Sequence, residues 1–106
     1  MVRTSLDLAI LDEGGFPTHE VRIDAAEHNR LMEKAASTRC RILLRLHDYY
    51  ADADIASDEI DEFINDVSEL RRAYSDDDTL ASLLSELAIL GNLAKSIGKG
   101  ITAISD

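Results

Sequence analysis

Apolar and polar residues alternate over residues 2–11. Val2, Thr4, Leu6, Leu8 and Ile10 fall on one side, and Arg3, Ser5, Asp7, Ala9 and Leu11 on the other. A period of two with one apolar face predicts a half-buried strand. Asp12-Glu13-Gly14-Gly15 then supplies turn residues, and Phe16–Ile23 reads as a returning strand with His19, Val21 and Ile23 on one side. Pro17 confines its start to an edge or entry position. Residues 2–23 therefore form a β-hairpin, which needs helices over its apolar face to be stable.

The period lengthens after Ile23. Asp24, with Glu27 three residues on, has the form of a capping box and opens a helix over about 24–36, carrying Leu31, Met32 and Ala35. CRILLRLHDYY, residues 40–50, reads as a short buried helix, and ADADIAS, residues 51–57, as a loop anchored by Ile55. A strand is also open over the apolar run, since short runs do not separate the two. Ser57 is a fitting N-cap for a helix over 58–74, whose stripe is Ile60, Phe63, Ile64, Val67, Leu70 and Tyr74. The last helix spans about 79–97 on Leu80, Leu83, Leu84, Leu87, Gly91 and Ala94. Gly91 costs up to ~1 kcal/mol against alanine there, which points to close packing with a neighbour. Gly98 and Gly100 end the helix, and the tail ITAISD docks through Ile101 and Ile104. The expected fold is a single α+β domain, mostly α, with the N-terminal hairpin packed on about four helices.

Length and composition agree with one globular domain: 106 residues, 45% hydrophobic and without tryptophan. Cys40 is the single cysteine, lies beside Ile42 and Leu43, and reads as a buried structural thiol. The N-terminal residues lack a continuous apolar signal region, and no apolar run approaches the ~20 residues of a membrane span. A cytosolic location is expected.

Charge changes the picture more. The net charge is −10, and residues 48–78 hold twelve of the 21 acids but only two of the 11 bases. Residues 30–45 lean the other way, with Arg30, Lys34, Arg39, Arg41 and Arg45 against Glu33. An acidic block disfavours nucleic acid and anionic membrane and favours a basic protein surface. The bland alternative is a solvated acidic face that serves solubility.

Candidate chemistry fails on inspection. DADIASDEIDEF, from Asp52, has Ala56, Ser57 and Phe63 where a calcium loop needs a ligand, a glycine and a bidentate glutamate. His19, His28 and His47 lack helical metal-site spacing, and His47 beside Asp48 reads as a structural pair. The carboxylates decorate a helix rather than facing across a pocket. Gly98-Lys99-Gly100 follows a helix instead of opening one, so it is no phosphate cradle. The expectation is a binding protein rather than an enzyme, with no catalytic residue, cofactor or metal.

The expected partner surface is acidic. Opposite the apolar stripe of the 58–74 helix stand Asp58, Glu62, Asn65 and Glu69 at i, i+4, i+7 and i+11, flanked by Asp61 and Asp66. Tyr49, Tyr50, Asp52 and Asp54 precede them and complete the candidate set. Tyrosines anchor interfaces, while acids steer a basic partner.

Two segments carry a family resemblance: LLRLHDYYADADIASDEIDEFINDVSEL from Leu43 and LASLLSELAILGNLAKSIGKGITAISD from Leu80. With the hairpin before them, they resemble small bacterial immunity proteins of polymorphic-toxin gene pairs. In that pattern a Leu-x-Asp-Tyr-Tyr-x-Asp segment precedes an acidic helix and a closing helix with a Gly-Lys-Gly-like turn. Here it reads Leu46-His47-Asp48-Tyr49-Tyr50-Ala51-Asp52. The resemblance implies a protein that binds and blocks a toxin domain with a basic surface. The competing class is a regulatory or structural interaction module, including a homodimer that pairs through the exposed hairpin edge.

Overall fold

The computed structural model describes residues 5–105. The hairpin is present as β1 (Leu6–Leu11) and β2 (Pro17–Ile23), paired antiparallel with Leu8 opposite Val21 and Ile10 opposite His19. The expected strand start at residues 2–4 lies outside the described residues. Asp12 builds the turn: its Oδ1 accepts from the amides of Gly14 and Phe16, each at 2.9 Å. Gly15 takes φ +82°, a conformation that favours glycine.

Two strands stand where the sequence pattern predicts none. β3 (Ala53–Ile55) occupies the expected loop, and β4 (Ile101–Ser105) occupies the expected docking tail. The four strands form one antiparallel sheet in the order β2-β1-β4-β3, so the C-terminal segment lies beside the first strand. One face, with Leu6, Leu8, Ile10, Val21, Ile23, Ile55 and Ile101, is buried in the core. The other carries the Asp7–Arg22 ion pair at 3.2 Å and the buried Ala9.

Three helices complete an α+β fold that is mostly α. The first, α1 (Ala25–Thr38), starts from the complete Asp24–Glu27 capping box. It ends at Thr38, where the Ser37 and Thr38 hydroxyls donate to the carbonyls of Glu33 and Lys34, one turn back. The expected helix over 40–50 is corrected to a 3-10 turn at Leu43–Leu46. Its leading amides, Ile42 and Leu43, are held by the Asp66 carboxylate at 2.9 and 3.2 Å, which fixes the chain in a turn against the next helix.

A second 3-10 turn, Ser57–Glu59, leads into α2 (Ile60–Ala73). The expected Ser57 cap gives way to Glu59, whose carboxylate accepts from the Ala56 amide at 3.0 Å. The third helix, α3 (Asp78–Ile97), is capped by Asp77 on the Leu80 amide and closed by Gly98. By length and composition α3 is long and apolar enough to cross a membrane. Its stripe from Leu80 to Ala94 is nevertheless buried in this domain's own core.

Two glycines mark close approaches. A Cβ on Gly91 would stand 3.0 Å from both Phe63 and Ile64, so α2 and α3 meet there as the sequence suggested. A Cβ on Gly100 would lie 2.3 Å from the Ile55 carbonyl oxygen. Any side chain at Gly100 would push apart the start of β4 and the end of β3.

Candidate protein-binding surface

The basic segment folds back onto the acidic one. Arg41 forks onto Glu62, with Nε 3.1 Å from Oε2 and Nη2 2.8 Å from Oε1. Arg45 pairs with Glu59 through both guanidinium ends, one contact being 2.6 Å. Arg30 reaches Asp77 at 2.5 Å and Lys95 reaches Asp61 at 2.8 Å. Glu69 takes Arg72 from its own helix at 2.8 Å. The guanidinium of Arg45, helped by the Ala56 amide, holds the Glu59 carboxyl down at about 2. The Leu80 amide and then Arg30 hold Asp77 below the usual carboxylate range.

Much of the expected ridge is therefore occupied within the molecule. Glu62, Asp61 and Glu69 are surface residues, but each has a basic partner. Asn65 is exposed on α2. Asp66 is corrected from surface to core: it is 8% exposed and serves the Ile42 and Leu43 amides. Burial pushes its carboxyl pKa up, and the Leu43 and Ile42 amides pull it back in part.

The tyrosines separate. Tyr49 is buried, with its ring 5.1 Å from that of His28, whose Nε2 lies 2.5 Å from the Leu46 carbonyl oxygen. Tyr50 is 75% exposed and meets the Tyr49 ring edge-on at 5.3 Å. Around Tyr50 in sequence stand four exposed acids. Asp48 accepts from the Tyr50 amide and Asp52 from the Ser105 amide, at 2.9 and 2.8 Å. Asp54 and Asp58 have no ion pair among the described residues. His47 does not pair with Asp48 as expected; its Nδ1 lies 3.2 Å from the Leu44 carbonyl oxygen.

Cys40 is buried, with Sγ 3.6 Å from the Asp66 carbonyl oxygen. Burial raises its pKa, against the opposing Thr38 hydroxyl contact, which disfavours a reactive thiolate. Among the described residues no group of three His, Cys, Asp or Glu side chains could hold a metal.

Reading the sequence by charge blocks misses the roles of Arg41 and Arg45. The opposed signs of residues 30–45 and 48–78 are the available signal. Comparison with family models, with characterised proteins and with solved structures finds no match.

Proposed function

We propose that this protein is a cytosolic binding protein, an immunity protein that neutralises a toxin domain with a basic surface. The observation that carries the proposal is the exposure of Tyr50 together with that of Asp48, Asp52, Asp54 and Asp58, its neighbours in sequence. None of these acids forms an ion pair among the described residues, although Arg45 acts on Asp58 through space, whereas Glu59, Asp61, Glu62, Glu69 and Asp77 are each paired. Unneutralised acids lower the energy of a basic partner at long range and speed its encounter. An exposed tyrosine adds a large amphipathic contact at small entropic cost. The proposed interface is thus narrower than the α2 ridge and excludes Asp66. Catalysis, nucleic-acid binding and membrane binding have no part in the proposed role.

Affinity capture from the native cell tests it. The expected catch is a protein with a basic surface that harms cells when expressed alone and is harmless with this chain. A captured partner without toxicity would move the assignment to a regulatory module.

A further inference from the structure

The two edges of the sheet differ. β3 is three residues long and carries Asp54, a short charged edge of the kind that resists pairing. β2 is seven residues long, with Thr18, His19, Glu20 and Arg22 exposed. Its charges cancel locally, although the chain as a whole is strongly acidic. Beside it runs an open groove of about 230 Å³, where Val21 of β2 faces Ile89, Leu90 and Leu93 of α3. Ile89 is 69% exposed, an apolar side chain left mostly to solvent.

We propose that a second copy of this chain occupies this edge, with β2 running antiparallel to its own counterpart about Val21. An antiparallel pair related by a two-fold axis through the sheet must centre on one residue, because pairing preserves the face. Centring on Glu20 would set Glu20 against Glu20 and draw Pro17 into the ladder opposite Ile23. Centring on Arg22 would set Arg22 against Arg22. Centring on Val21 places each Glu20 opposite an Arg22 of the other copy, twice by symmetry. It also leaves Pro17, and the register shift that its pairing with Leu11 marks, outside the paired stretch 19–23. Opposite charges directly across an antiparallel pair stabilise it, and like charges oppose it. The same axis puts both α3 helices on one side of a joint eight-stranded sheet, so the two grooves with their Ile89 side chains adjoin. This edge lies about 14 Å, three strand spacings, from β3, so the acidic surface stays free.

Charge reversal tests both the occupant and the register. Light scattering of the wild type should give a dimer. Glu20→Arg faces arginine with arginine, and Arg22→Glu faces glutamate with glutamate, so each variant alone should weaken dimerisation about tenfold. An equimolar mixture of the two should recover it. In the mixed dimer the introduced arginine of one copy meets the introduced glutamate of the other, and the retained Arg22 meets the retained Glu20. Circular dichroism establishes that each variant is folded. Ile89→Lys, exposed and outside the core, should also weaken the dimer and serves if a strand variant fails to fold. A monomeric wild type at millimolar concentration would overturn the proposal. So would an unaffected Glu20→Arg dimer, or folded variants whose mixture does not associate.

Discussion

Arg41 holds Glu62 in a forked ion pair across 21 residues of sequence, Nη2 to Oε2 at 2.6 Å, and ties the 3-10 turn segment to α2. The Arg41 side chain is 77% exposed and that of Glu62 39%, so the pair is solvated. Such pairs contribute about 0–1 kcal/mol. Replacing Glu62 with lysine should therefore cost no more than about 1 kcal/mol in chemical denaturation. A loss above about 3 kcal/mol would show that the contact is effectively buried.

Asp66 should matter more than any exposed acid. Removing its carboxylate in Asp66→Ala leaves two buried amides, Ile42 and Leu43, without their acceptor. The expected loss is about 2–4 kcal/mol. Asparagine keeps an acceptor oxygen and no charge, and burial already disfavours the charge. Asp66→Asn should retain most of the stability in urea melts. Equal losses for the two variants would contradict the capping role.

The Glu59 carboxyl gives a pH signature. Its folded pKa, about 2, lies below the ordinary 4.5. The unfolded chain therefore binds this proton first as pH falls. Its stabilising contribution is present above about 4.5 and is lost progressively towards about 2. Glu59→Gln should flatten the dependence of unfolding free energy on pH within that window and leave the slope above it unchanged. An unchanged acid limb would place the Arg45 contact outside the solution structure.

Gly91 reports on the α2–α3 contact. Alanine gains up to ~1 kcal/mol of helix propensity. Its Cβ would press on Phe63, which is fully buried, and on Ile64, both at 3.0 Å. Overpacking of this kind costs about 1–3 kcal/mol. Gly91→Ala should lose about 1 kcal/mol in thermal or chemical melts. A stabilised variant would show slack between the helices.

The parts of the fold with strong periodicity are legible in the sequence. The hairpin follows from alternation and turn residues, and α1 from the Asp24–Glu27 box. Ile101–Ser105 reads as a tail because five residues after a helix carry too little pattern to specify a strand. Its place beside β1 is set by tertiary pairing, which no local window contains. CRILLRL reads as a helix because an apolar run fixes burial without fixing backbone period. Asp66 sits three residues after Phe63 and one before Val67, within the apolar stripe, so its burial is signalled and outweighed by its charge. The pairing of Arg41 and Arg45 with the acids at Glu62 and Glu59 depends on how the chain folds back, which charge blocks hint at without specifying partners.

The most direct test of the central claim is the association rate of the captured basic partner with wild-type protein and with Asp54→Lys/Asp58→Lys. Both positions are exposed and have no ion pair among the described residues, so the variant should keep wild-type circular dichroism. It should associate about tenfold more slowly at low salt, with the gap closing as salt screens the field. It should also protect cells less well. A folded double variant that binds at the wild-type rate at low salt and protects fully would contradict the acidic surface as the binding site.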